Sequence, residues 1–473
     1  MTDAITVDSV FADLVADTNK KFGAEKVISI DTLNSYMYGF PCPLAWSYAI
    51  GGSDVVPCGR VFGGDGPPKH YKSTLSMEHG RWVLQAGGVV VLVDTEDKTS
   101  DTLARSLLWN LEPEVRKRFR YVKAASIEAA EELVTFFKKK AIEFRSTLPP
   151  EMQFPVFVIW DSLTGAGTEG QNDKVNKEGS AEVRGFSEQA MSISKFYKSM
   201  SFDDSVFNLM HVQHAKPNND PYALLDDRMI PNGGTEPKFK ATYHYRMTKV
   251  KDIKSEHWMG KEISMFMLKS SLGADHRELT LRVLWRHEWV DVPAFSADGK
   301  VCRDGDKTMT PEEAVVFYDA CKGALPPESC VELMKFFGLL AAKPPEKCPK
   351  PATDRQRFQQ TWFDWDWTLG KLLCDLMYEE NELYADDKKA LRAIIPFTKG
   401  AVGYVVSKKL FGDDDDHDFS EFGKRITEDP ELTKELKKFW GITHYQSFHE
   451  YVQNHTARPK EKSKKEKEKE KRK

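Results

Sequence analysis

The chain has 473 residues, too many for one compact domain, and 40% of them are hydrophobic, with 11 Trp and 28 Phe to fill a sizeable core. Its formal charge of −4 is unevenly placed: residues 457–473 carry 10 Lys/Arg against 4 Asp/Glu, a net +6, which leaves −10 on the remainder. A net acidic body excludes indiscriminate nucleic-acid binding and confines any such contact to local basic strips. The seven cysteines show no C-x-x-C pair and no metal-ligand spacing, so reduced thiols are expected. No apolar run approaches 18 residues and no basic-then-apolar leader opens the chain, so a soluble cytoplasmic protein is the expectation.

Val7–Phe22 is predicted as a helix, with Val10, Phe11, Leu14, Val15 and Phe22 on one side and Gly23 ending it. Its apolar face suits either the chain's own core or a neighbouring subunit. A Pro41-Cys42-Pro43 turn leads into an apolar segment, Leu44–Ile50. A short strand at Arg60–Phe62 and a glycine turn, Gly63-Gly64, precede Gly66-Pro67-Pro68-Lys69-His70-Tyr71-Lys72-Ser73-Thr74. This stretch opens a helix through Leu75, Met77 and Trp82. A strand, a glycine loop and a helix beginning at Lys-Ser-Thr are the parts of an anion cradle. The loop N–H groups and the helix N-terminus would face phosphate, Lys72 would reach the β- and γ-phosphates, and Ser73 would ligate Mg²⁺. Tyr71 stands where G-x-x-x-x-G-K-[ST] has its second Gly, so a lysine-bearing turn that only starts a helix stays open on this stretch alone.

Val89–Val93, after Gly87-Gly88, reads as a buried parallel strand ending in Asp94-Thr95-Glu96-Asp97. In open α/β sheets ligands bind at such strand ends. Glu96 is the candidate general base, positioning a water against a γ-phosphate; the competing reading is a helix N-cap supplied by Asp97 or Asp101. A second buried strand, Val156–Trp160, ends in Asp161-Ser162, a Walker B pattern in which Asp161 holds Mg²⁺ through water or through Ser73. Thr164–Ser180 reads as a mobile loop offering Lys174 and Lys177, and Arg184–Met200 as an amphipathic helix with a core-facing side. A third strand, Val206–Val212, ends in Gln213-His214 at the same edge. Ala215–Pro237 is a long polar loop with Lys216, Arg228, Gly233 and Gly234. Strands at Ala241–Val250, at Ile263–Leu268 (ending in Lys269) and at Leu279–Trp285 complete an α/β sheet.

Farther on, helices are expected over 311–343 and 368–395. The cluster Trp362-Phe363-Asp364-Trp365-Asp366-Trp367 could stack on bases, but its aspartates repel phosphate and a core role is the stronger reading. Asp413–Asp416 reads as solvated surface ahead of a Glu/Lys-rich helix, and Lys460–Lys473 as a charged, disordered tail.

The order of these motifs resembles the RecA recombinase family, most closely its phage UvsX-type branch. Gly66-Pro67-x-Lys69-x-Tyr71-Lys72-Ser73 is similar to the phage form of the loop, in which an aromatic precedes the Lys. Val93-Asp94-Thr95-Glu96 resembles the family's strand with its catalytic Glu, and Ile159-Trp160-Asp161-Ser162 its Walker B strand. Segments 164–180 and 214–237 stand where the family keeps two DNA-binding loops, and Gly233-Gly234-x-x-x-Lys238-Phe239-x-Ala241-Thr242 looks like the exit from the second. The resemblance spans roughly residues 10–290. It departs in three places. The family's adenine-stacking aromatic stands as Leu103, with Asp101 shifted by one. The γ-phosphate sensor is Gln213 or His214. Where the family has two basic residues, two apart, at the subunit interface, Lys269 is followed at that spacing by Ser271.

The resemblance implies a RecA-type P-loop ATPase core (51–292) on a mostly parallel twisted sheet flanked by helices. A mainly helical region (293–456) and the tail (457–473) are expected from apolar spacing and composition alone, and the resemblance places an N-terminal helix and lead-in (1–50) against a neighbouring subunit. It implies a DNA-dependent ATPase, using ATP and Mg²⁺, that forms helical filaments on single-stranded DNA and exchanges strands with double-stranded DNA in recombination, repair and replication. A single-strand-binding protein and a loader are further partners; the compartment is the bacterial cytoplasm if the chain is phage-encoded. On this resemblance Gly66, Pro67, Pro68, Lys69, His70, Tyr71, Lys72, Ser73, Thr74 and Asp101 bind the nucleotide, and Ser73 and Asp161 the metal. Glu96, Lys72, Gln213 or His214, and Lys269 from the neighbour, serve hydrolysis. Lys174, Lys177, Lys216, Arg228, Gly233 and Gly234 meet DNA. Two other readings fit the same residues: another RecA-type motor such as a hexameric helicase, and a degenerate nucleotide-binding scaffold without turnover.

Overall fold

The computed structural model describes residues 16–17, 20, 38–96, 100–149, 152–172, 185–200, 206–220, 222, 229–254, 259–273, 276–291, 301–303, 307–309, 355–378, 385–394, 416–448 and 450. Of the predicted N-terminal helix only Ala16, Asp17 and Lys20 fall within this set, and they are helical. The first half of the chain gives β1 (Tyr38–Pro41), α1 (Leu44–Ile50), β2 (Val55–Pro57), β3 (Val61–Gly66), α2 (Lys72–Gln85), β4 (Val89–Asp94), α3 (Ser100–Leu107), α4 (Pro113–Arg116), β5 (Phe119–Lys123), α5 (Ile127–Thr147), β6 (Val156–Asp161) and α6 (Gly185–Ser199). The second half gives β7 (Phe207–Pro217), β8 (Met229–Pro231), α7 (Glu236–Lys240), β9 (Tyr243–Lys254), β10 (Met259–Ser270), β11 (Glu278–Asp291), β12 (Val301–Arg303), β13 (Lys307–Met309), β14 (Arg355–Phe363), α8 (Trp365–Tyr378), α9 (Ala385–Ile394), α10 (Asp416–Glu428), α11 (Pro430–Phe439) and β15 (Gln446–Ser447).

The fold is α/β, built on one large sheet in the order β14-β11-β10-β9-β3-β7-β6-β4-β5, with β8 paired to β7. Along this order from β5 to β9 the neighbours are parallel, and β8 runs antiparallel to β7. Their interior strands are apolar on both faces, as in Val-Val-Val-Leu-Val of β4 and Val-Phe-Val-Ile-Trp of β6, because helices cover both sides. From β9 to β14 the pairing is antiparallel. The sheet is therefore mixed, not mostly parallel as expected. The connections at 255–258 and 271–277 are too short for a parallel crossover, which takes a dozen residues or more.

Gly63-Gly64, expected as a turn, lies inside β3. The reason is the neighbouring side chains. A Cβ on Gly63 would lie 2.2 Å from His211 Nε2, and one on Gly64 2.3 Å from Tyr245 Cζ. Both rings are fully buried and have nowhere to retreat. Gly64→Ala should therefore destabilise the protein by about 2–3 kcal/mol, read from chemical denaturation; a loss within experimental error would mean that the Tyr245 ring yields.

The expected boundary at 292 does not divide the sheet. β14 pairs with β11 from Val283↔Phe363 to Asp291↔Arg355. Beyond it, Phe363 and Trp367 are buried, and Trp365 packs on Trp82 of α2 with ring centroids 5.5 Å apart. Trp365 Nε1 also donates to Glu78 Oε1 at 3.0 Å. The aromatic cluster is thus core, and it roofs the helix that follows the Gly66–Tyr71 turn. The boundary at 50 is crossed as well. β1 pairs antiparallel with β2 and parallel with β15, and Asp54 receives His444 Nδ1 at 2.6 Å and the Tyr445 N–H at 3.0 Å. The C-terminal region expected as mainly helical holds α8–α11 but also β12–β15. Residues 311–343 and 457–473 lie outside the described set. Among the described residues no helix is long and apolar enough to cross a membrane.

Candidate functional site

Because β3, β4, β6 and β7 run parallel side by side, their C-terminal ends open on one edge, with Gly66 in register with His214 and Asp94 with Asp161. The chain leaves β3 at Gly66 and reaches α2 through Pro67–Tyr71. Gly66 has φ +150°, and a Cβ there would lie 2.7 Å from the Met247 carbonyl. Lys69 (φ 65°) and Tyr71 (φ 59°) adopt the left-handed conformation. At Tyr71, which caps α2, that conformation costs an L residue about 1–2 kcal/mol, which is why the motif has Gly there. Here the Tyr71 ring stacks on Trp285 of β11, centroids 6.2 Å apart at 23°. Lys72 is buried in the first turn of α2, and its Nζ donates to the Pro67 carbonyl at 2.6 Å.

A cavity of about 520 Å³ opens over this turn, lined by Lys69, His70, Tyr71, Lys72, Ser73, Thr74, Glu96, Leu103, Asp161, His214 and Lys261. Glu96 sits just past β4. Asp94 orients it, accepting the Glu96 N–H at 2.8 Å through Oδ1 and the Tyr121 hydroxyl at 2.7 Å through Oδ2. Glu96 Oε1 accepts the Ser162 hydroxyl at 2.6 Å and lies 2.6 Å from His214 Nε2. The Thr95 hydroxyl donates to the Ser162 carbonyl, which ties the ends of β4 and β6 together. Asp161 is buried, and burial pushes its carboxyl up to about 6. A hydrogen bond from Ser73 opposes that shift, and the charges of Glu96 and Asp94 add to it.

Gln213 and His214 are neighbours on β7 and point to opposite faces. His214 enters the cavity; Gln213 is fully buried and donates to the carbonyls of Asn232 (3.0 Å) and Gly234 (3.3 Å). That segment carries Gly233 and Gly234 at φ +85° and +88°. Lys216 lies exposed farther along β7. Lys269 is not in the cavity lining. Its Nζ donates to the Phe239 carbonyl at 2.6 Å and the Lys238 carbonyl at 3.4 Å, at the end of α7. Partial burial, then the charge of Lys238, lowers its pKa. Asp101 lies in α3, but its side chain is outside the described set, as are Lys174, Lys177 and Arg228.

Three features escaped the sequence reading. Lys261, ion-paired with Asp252 across the β9–β10 hairpin, reaches the cavity from a strand with no motif of its own. Ser162 fixes Glu96; its only signal was its place after Asp161. Beneath the turn, Asp65 is fully buried, accepting Arg246 Nε at 2.6 Å, Arg246 Nη2 at 2.8 Å and His244 Nε2 at 3.0 Å. Burial would raise its pKa, but the Arg246 fork and His244 outweigh it and hold the carboxyl down to about 2.

Among the described residues no group of three or more His, Cys, Asp or Glu forms a cation cage. Ser73 and Asp161 fit a Mg²⁺ that brings most of its ligands as substrate phosphates and water. Against models of known protein families the chain has no match, and among curated proteins it has none either.

Proposed function

We propose that the chain is a DNA-dependent ATPase of RecA type that assembles on single-stranded DNA and exchanges strands in recombination. The observation that carries the reading is the convergence at one sheet edge of Lys72 and its turn, the Ser73–Asp161 pair and the Glu96–Ser162–His214 cluster. These are the three kinds of group that phosphoryl transfer to water requires: a cradle for the phosphates, ligands for their cation and a residue that orients the nucleophile.

On this reading the turn's N–H groups and Lys72 bind the β- and γ-phosphates. Ser73 and Asp161 would hold Mg²⁺, which would neutralise phosphate charge. Glu96, fixed by Ser162 and Asp94, orients the attacking water and receives its proton. His214 touches the same oxygen and joins that hydrogen-bond chain. Lys269 serves a neighbouring subunit's nucleotide rather than its own. Lys216, Arg228, Lys174 and Lys177 meet DNA phosphates, which supplies affinity without sequence choice.

ATP turnover measured with and without single-stranded DNA tests the reading: turnover should rise on adding DNA, and its absence in both conditions would reject an ATPase. The DNA surface has its own test. Arg228→Ala should weaken binding to all sequences alike and lower the salt slope by about one, whereas deletion of 457–473 should leave DNA-stimulated turnover largely intact. The reverse pattern would move the DNA contact to the tail.

A further inference from the structure

We propose that Tyr71 is the nucleobase platform of this site, its ring propped on Trp285 and offering a π-face to the base of a nucleoside triphosphate. The inference rests on the nucleotide reading above and extends it to the other end of the cavity.

The sheet order sets the direction in which the ligand lies. Glu96, Asp161 and His214 come from β4, β6 and β7, all on one side of β3. Lys261 and Trp285 come from β10 and β11, on the other side. Lys72 and Ser73 begin the helix that follows β3 and stand between the two groups. With the triphosphate on Lys72 and its terminal phosphate toward Glu96, the nucleoside must extend across β3 toward Tyr71 and Lys261.

The lining residues given no phosphate, cation or water-orienting side-chain role above include Lys69, His70, Tyr71, Leu103 and Lys261. His70 turns a ring nitrogen to the Pro68 carbonyl at 2.9 Å, and Leu103 is aliphatic. Tyr71 thus supplies the large aromatic surface. It does so from a left-handed backbone position that favours glycine, so the side chain is present where the loop geometry discourages one. Its stack on Trp285 fixes the ring before any ligand arrives, which lowers the ordering cost of binding. Every base has a π-face, so such a platform takes purine triphosphates with little discrimination.

The test is equilibrium binding of ATP, GTP and inorganic tripolyphosphate, each with Mg²⁺, to the full chain. Tyr71→Leu should weaken ATP and GTP about tenfold while tripolyphosphate stays within about twofold, and Tyr71→Phe, which keeps the ring, should recover the ATP affinity. Equal loss for all three ligands would make Tyr71 a brace for the loop and overturn the proposal; no loss for ATP would overturn it as well. If Tyr71→Leu fails to fold, Trp285→Leu leaves the loop sequence intact and should give the same split between ATP and tripolyphosphate, with equal losses again counting against the platform. An unaltered chain that binds tripolyphosphate as tightly as ATP would leave the phosphate site standing and remove the platform. One that binds neither would reject the nucleotide reading itself.

Discussion

Glu96→Gln should bind ATP as the unaltered chain does and turn it over at least about 100-fold more slowly. The amide has the carboxylate's shape, so its carbonyl can still accept the Ser162 hydroxyl and its backbone N–H still meets Asp94. What it loses is the capacity to take a proton from water. Lys72→Ala fails earlier. Removing the one buried ammonium of the turn, which lies 2.6 Å from the Pro67 carbonyl, removes the charge that would hold the phosphates, so binding itself should be lost. Nucleotide binding and steady-state turnover, measured side by side on both variants, separate the two steps. Full turnover by Glu96→Gln would take the water-orienting role from Glu96. Normal ATP affinity in Lys72→Ala would reduce the turn to a helix start.

Arg246→Leu should cost about 3–5 kcal/mol of stability. Arg246 and Asp65 are both buried and joined by two hydrogen bonds, so removing the guanidinium leaves a carboxylate in the core with only His244 as partner. The penalty is that of an orphaned charge, not of a lost attraction. An Asp65→Asn/Arg246→Leu double variant should accordingly be less damaged than Arg246→Leu alone. The pair also predicts an acid response. The Asp65 carboxyl, held at about 2 against an ordinary value of 3.8, contributes stability that is fully present above the ordinary value. That contribution is lost as pH falls from about 4 to about 2. Denaturant unfolding between neutral pH and pH 2 should show this loss in the unaltered chain and less of it in Arg246→Leu. Since Asp65 immediately precedes Gly66, the same variant should also weaken nucleotide binding. A stability loss below about 1 kcal/mol would mean that water reaches Asp65 and replaces the guanidinium.

What could be read from the sequence is what is local along the chain. The apolar runs of β4 and β6 mark buried strands, and the acidic residues at their ends mark the edge where Glu96 and Asp161 stand, because a strand's burial and its C-terminal tip are both written in consecutive residues. Lys-Ser-Thr at the start of α2 is legible for the same reason. The Trp362–Trp367 cluster was legible as core from its density of aromatics.

Tertiary structure alone decided the rest, because it depends on residues far apart in the chain. Gly63-Gly64 reads as a turn until His211 and Tyr245 arrive from neighbouring strands and take the space a side chain would need. Asp65 finds Arg246 and His244 only when β9 is laid beside β3. Gln213 and His214 are equivalent in the sequence; the register of β7 turns one to the cavity and the other to Asn232, since a shift of one residue exchanges the faces of a strand. Lys261 enters the cavity because a short connection folds β10 back on β9, and β14 joins the sheet across more than sixty intervening residues. Local patterning named the strands and their chemistry; only the pairing of distant strands determined which of those side chains share a site.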